Sequence, residues 1–126
     1  MKDFSHRIRR HVQVELLAAE ACDARGDFAG SFKRLERAHV LGQASTRQHV
    51  RVHWLMLRWA VRQRQPREFA AQVLRMLGAA ALTAIGLVPE GNTGGGNVSP
   101  LCRLPIPPDL ADIIASARSE VDDTKT

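Results

Sequence analysis

Five ionisable residues of this chain fall on the apolar sides of predicted helices, where side chains normally enter a core. They are Glu15, Glu36, His39, His49 and His53. On a helical wheel Glu15 lies in the middle of its helix's apolar stripe, while His49 and His53 face away from the arginines of theirs. A buried carboxylate without a partner costs several kcal/mol. The pattern therefore predicts that these side chains share a polar site in the core.

The spacing of these residues is typical of metal ligands. His49 and His53 are four residues apart, which places both imidazoles on one helix face within reach of one ion. Glu36 and His39 form an E-x-x-H pair, as found in carboxylate-bridged diiron bundles, but the chain lacks the matching second pair. We therefore predict one mononuclear divalent metal, zinc or iron. All five residues are candidate ligands, and Glu36 is alternatively a base that orients a histidine.

Two interpretations without a metal remain open. The inward residues can form a hydrogen-bonded polar network, in which Glu15 pairs with His39 or with an arginine. A histidine and a glutamate can also act as acid and base without any ion. The sequence leaves open whether the protein is an enzyme.

These residues lie in segments of helical length that are separated by glycine and proline. No segment shows the alternation of apolar and polar residues that is typical of a β-strand. The predicted helices cover 4–25, 28–41, 46–65, 67–77 with a possible extension to 85, and 108–118. Short connections favour antiparallel neighbours, so we expect an all-α fold of two antiparallel helical hairpins in one small bundle. The predicted division is a bundle at 1–90, a Gly/Pro-rich wrapping loop at 91–108, a docking helix at 109–119 and a flexible tail at 120–126, all within a single domain.

The glycine-rich segment at 91–97 allows two roles. Its backbone N–H groups can bind an anion, or it can serve as a crossover that lets the C-terminal part return to the bundle. It lacks the Lys and Ser/Thr of a P-loop, so nucleotide binding is not predicted.

Composition limits the remaining function classes. The chain has 126 residues and a net charge of +5, but its arginines fit a solvated helix face, and no nucleic-acid reader motif accompanies them. The longest uncharged apolar run, Met76–Val88, is too short for a bilayer, which needs roughly 20 residues. Two cysteines without an export signal predict reduced thiols and a cytoplasmic location.

The first hairpin resembles a tetratricopeptide unit, with Gly26-Asp27 at its turn and Ala38 in its second helix. The resemblance implies an alternative function, a helical adaptor that binds a protein partner. A homodimer is also an open possibility.

Four motifs together resemble a bacterial family of short helical proteins that is classed as a domain of unknown function. They are Leu35–Gln43, His49 with His53-Trp54, Pro89–Gly95 and Pro105–Pro107. The resemblance spans residues 4–118. It implies a short helical fold and genes often placed near heavy-metal resistance and efflux genes. That context agrees with a metal site, and the family implies no particular reaction.

Overall fold

The computed structural model describes residues 2–84, 91–96, 98 and 102–119, and this part of the chain contains helices and no strand. The helices are α1 (Lys2–Ala24), α2 (Phe28–Gly42), α3 (Thr46–Arg62), α4 (Pro66–Ala84) and α5 (Pro108–Ser119). The all-α prediction is confirmed. Helix α4 continues through the alanine-rich stretch, well beyond residue 77.

Local chemistry sets the helix boundaries. Gly26 turns the chain after α1 with a φ of +76°, which favours glycine. Asp27 and Ser45 precede α2 and α3, and each side chain accepts a hydrogen bond from a backbone N–H of the following helix. Pro66 and Pro108 begin α4 and α5, where a missing N–H costs nothing.

Connections of only three residues join the first four helices, so consecutive helices pack side by side. Helix α1 packs on α2 and α3 on α4, which fits the two predicted hairpins. Gly42, at the end of α2, lies between Val12 of α1 and Gln48 of α3. A Cβ at Gly42 would lie 2.9 Å from the Gln48 Cβ. A glycine therefore permits the close passage from one hairpin to the next.

The core lies between the two hairpins and under α5. Its fully buried members include Ile8, Val12, Val52, Met56 and Leu110. Leu110 belongs to α5, which packs against α1 and α2. Because this packing fixes α2 against α3, it also fixes the residues at their facing ends.

The predicted boundaries between bundle, loop, docking helix and tail remain predictions. The tail at 120–126 and residues 85–90, which include Pro89 and Glu90 of the quoted motif, lie outside the described residues. Among the described helices, none has both the length and the apolar character needed to cross a membrane.

Candidate metal centre

Three histidines converge at the junction between the hairpins. The Nε2 atom of His39 lies 2.9 Å from that of His49 and 3.1 Å from that of His53, and the last two are 3.2 Å apart. All three residues are buried, with 5% of their surface or less exposed. No described Asp, Glu or Cys side chain joins this group.

The helix geometry explains the convergence. His49 and His53 lie one turn apart on the buried face of α3, and His39 lies in the last turn of α2. The short connection and the close approach at Gly42 bring these two helix ends together. The His39 ring meets each of the other two edge-on, with ring centroids 4.7 Å apart.

Hydrogen bonds to oxygen fix the orientation of two rings. His39 donates from Nδ1 to the Asn92 carbonyl oxygen at 2.6 Å, and His53 donates from Nδ1 to the Gln72 Oε1 atom at 2.5 Å. The Gln72 amide is itself oriented, because its Nε2 donates to the Gly94 carbonyl at 2.9 Å and to Glu68 at 2.6 Å. In the neutral state both histidines therefore carry their hydrogen on Nδ1 and a lone pair on Nε2.

The surroundings keep the imidazoles neutral. Burial, the largest effect, lowers the pKa of His49 to about 3 and that of His53 to about 4. Burial also lowers the pKa of His39 well below its ordinary value, and the other two histidines lower it further. At neutral pH all three imidazoles are therefore in the form that binds metal ions.

Neutral imidazoles in this orientation leave a contact that hydrogen bonding does not satisfy. The Nε2 atoms of His39 and His53 both present lone pairs, and they lie 3.1 Å apart. A hydrogen on His49 Nε2 can face one or both of them but cannot lie between them. A cation held by the three Nε2 atoms would satisfy all of them at once. The Nε2 atoms of His39, His49 and His53 are close enough together to hold one metal ion.

The glycine-rich loop packs directly against the cluster. Gly94 has a φ of +82°, and a Cβ there would lie 2.5 Å from the His39 Cδ2 atom. The Asn92 side chain holds the loop by accepting from the Gly94 N–H at 2.9 Å and donating to the Cys102 carbonyl at 2.7 Å. The loop therefore supplies both the acceptor for His39 and the space that its ring occupies.

Sequence analysis did not identify Gln72, Asn92 or Gly94 as residues of the site. Gln72 is fully buried, but no motif or spacing in the sequence distinguished it from the other polar residues of α4. Asn92 and Gly94 lie in the segment whose role the sequence left open. Their signal was the quoted glycine motif, which indicates a special backbone without saying what it contacts.

The two predicted glutamates lie outside the histidine cluster. Glu15 is buried between α1 and α2, where its oxygens contact Arg34 at 3.2 Å and Arg37 at 3.1 Å. These ion pairs use both carboxylate oxygens of Glu15. An arginine was one of the two partners that the polar-network interpretation named for this residue. Glu36 is partly buried one turn before His39. Burial raises its pKa, Lys33 opposes that shift, and Glu68 adds to it.

Fold and site together define a small all-helical protein with a buried three-histidine cluster supported by a glycine-rich loop. The chain belongs to the family described as "Protein of unknown function (DUF3703)", which matches residues 6–114. No curated protein and no solved structure matches it. The resemblance to a family of unknown function is thereby confirmed, whereas the gene context stays a prediction.

Proposed function

We propose that the protein binds one divalent metal ion through the Nε2 atoms of His39, His49 and His53. The observation that carries the proposal is the convergence of these atoms while the Nδ1 hydrogens of two rings are directed to carbonyl oxygens. A second group that fixes the ring orientation in this way is typical of histidine ligands in metal sites.

The donor set favours zinc over iron. Zinc takes three neutral imidazoles and keeps a fourth position for water or substrate in its catalytic sites. The common non-haem iron site uses a carboxylate as its third ligand, and no described carboxylate joins this cluster. Zinc is therefore our first choice and iron the second. The proposed role is an accessory to metal handling or a small metalloenzyme in the cytoplasm.

We assign Glu36 a supporting role. It lies within electrostatic range of Glu68, which contacts Gln72 and through it His53. These two carboxylates add negative charge near the site, and Arg75 and Lys33 compensate it. Because Glu15 is engaged by two arginines, we do not include it among the ligands.

Elemental analysis of untagged protein tests the proposal. Wild-type protein should contain close to one zinc or iron per chain, or take it up after metal addition. His49→Ala and His53→Ala should each lose this metal, and His6→Ala, at an exposed position of α1, is the matched control. A folded wild-type protein that binds none of zinc, iron, copper, manganese or nickel would overturn the proposal.

Exposed apolar side chains on α3 and α4 favour a second candidate, the helical adaptor. Trp54, Leu74 and Leu77 are 50%, 71% and 76% exposed. Such side chains commonly contact a partner chain. In this alternative the three histidines serve as a structural network. A Leu74→Glu, Leu77→Glu variant should then lose self-association in sedimentation experiments, or lose partner binding, while keeping its helical content.

A further inference from the structure

Arg75 of α4 is partly buried and is joined to the histidine cluster through Asn92. Its Nη1 atom donates to the Asn92 Oδ1 atom at 3.4 Å, and its Nη2 donates to the Val98 carbonyl. The Asn92 backbone carbonyl accepts the hydrogen bond from His39. One asparagine therefore connects the guanidinium to the site, and Arg75 is close enough to lower the pKa of all three histidines.

Arg75 retains hydrogen-bonding capacity. A guanidinium has five N–H donors. Within the part of the chain that the structure describes, Arg75 uses its donors on two oxygens, those of Asn92 and Val98. The planar guanidinium directs its remaining N–H groups in fixed directions and can donate to an oxygen of a small anion, a geometry that the ammonium group of a lysine does not reproduce.

The charges around the site point to an anion. Arg75 and Glu68 offset one another, because Glu68 raises the pKa of Arg75 against the effect of burial. Lys33 likewise lowers the pKa of Glu36 against the effect of burial, so these two charges also offset one another. Three neutral imidazoles contribute no negative charge to a bound dication. A buried dication next to a guanidinium is unfavourable unless a negative ligand accompanies it.

We propose that the metal site takes up a small carboxylate or carbonate oxyanion as its fourth ligand, with one oxygen on the ion and another on Arg75. This inference rests on the proposed metal site and names the class of ligand that completes it. Arg75 disfavours the bare ion and favours the ion with its anion, so metal and anion bind cooperatively. Such coupling is reciprocal and typically changes affinity by about 5- to 150-fold.

Titration with cobalt(II) tests the coupling, because four-coordinate cobalt absorbs visible light and its bands shift when a ligand changes. The titrations use acetate, hydrogencarbonate or perchlorate at equal ionic strength, perchlorate being the weakly coordinating control. Wild-type protein should bind cobalt at least about fivefold more tightly with acetate or hydrogencarbonate than with perchlorate, and its bands should shift.

Two variants assign the effect to the guanidinium. Arg75→Met should lose the anion dependence, measured as the ratio of its cobalt affinities in acetate and in perchlorate, and Arg75→Lys should keep only part of it. If Arg75→Met does not fold, the wild-type anion series decides alone. If cobalt binding is abolished by His49→Ala but does not depend on acetate or hydrogencarbonate, this inference is overturned and the proposed metal site stands. Absence of cobalt binding in every buffer overturns both.

Discussion

Replacement of Gly94 by alanine tests whether the loop and the histidine cluster form one structure. The added Cβ would lie 2.5 Å from Cδ2, 2.7 Å from Cγ and 2.8 Å from Nε2 of the His39 ring. The ring cannot simply turn away, because its Nδ1 is bonded to Asn92 and its Nε2 lies between two other imidazoles. Either the loop or His39 must move.

The expected cost has two parts. An alanine at a φ of +82° loses roughly 1–2 kcal/mol of backbone free energy. Overpacking of a filled site costs about 1–3 kcal/mol more. We therefore expect Gly94→Ala to lower the free energy of unfolding by about 2–5 kcal/mol. Displacement of a group that orients a ligand should also weaken metal binding about 10- to 100-fold.

Gly26→Ala is the matched control. Gly26 has a φ of +76°, close to that of Gly94, but a Cβ there meets nothing within 4 Å. The Gly26→Ala variant should therefore lose only the backbone part of the free energy of unfolding, because its Cβ does not touch His39, and its metal affinity should not change. Urea unfolding of the metal-free proteins and competition titration with a chromogenic chelator measure the two quantities. If Gly94→Ala matches Gly26→Ala in both, the loop does not hold His39.

Three further perturbations separate the roles of the remaining residues. In the metal-free protein, burial lowers the pKa of His49 to about 3 and of His53 to about 4, so the unfolded imidazoles, with pKa values near 6.5, bind protons that the folded ones do not. The free energy of unfolding should be highest above pH 6.5 and should decrease below that pH by up to about 1.4 kcal/mol per pH unit for each histidine. A urea midpoint that is constant from pH 7 to 5 would contradict this. Gln72→Leu removes the acceptor for His53, so metal affinity should fall about 10- to 100-fold in the chelator competition, and an unchanged affinity would exclude an orienting role. Glu15→Gln should lose about 1–3 kcal/mol of stability in urea while keeping the full metal content, because its partners are arginines, and a loss of metal from folded protein would restore Glu15 as a ligand.

The helical period was sufficient to predict the histidines that the structure brings together. His49 and His53 share a face by spacing alone, and that face is the buried one because the arginines lie opposite. His39 follows from the apolar arc of α2, and the short connection to α3 made an approach between the helices reasonable. These inferences depend on local geometry, which a single sequence carries well.

The same reasoning could not assign the partners of Glu15. A helical wheel gives the direction of a side chain from its own helix axis but not the neighbour it meets. The buried stripe of α1 packs on α2, where Arg34 and Arg37 reach the Glu15 carboxylate although, by the helical period, both lie roughly opposite His39 on α2. Long arginine side chains can reach a buried partner while their backbone faces outward.

The contribution of the loop was beyond sequence pattern for a different reason. Residues 91–96 have no period, so nothing indicated which surface they would cover. Their position depends on tertiary hydrogen bonds, from Asn92 to Cys102 and from Gln72 to Gly94, which form only once α4 and the returning chain are in place. The glycines and asparagines of this segment indicated an unusual backbone conformation, but only the structure shows that the segment contacts His39.

The arrangement of hydrogen atoms favours a cation site over a purely structural network. A polar core that only needed to satisfy itself would direct the N–H of one imidazole to the lone pair of the next. Here the backbone carbonyl of Asn92 and the amide oxygen of Gln72 each take an N–H that a neighbouring imidazole would otherwise receive. The two hairpins and the loop thus hold the Nε2 lone pairs of His39 and His53 close together despite their mutual repulsion. An ion bound as we propose would relieve that repulsion and link the two hairpins, so its binding free energy should stabilise the fold directly.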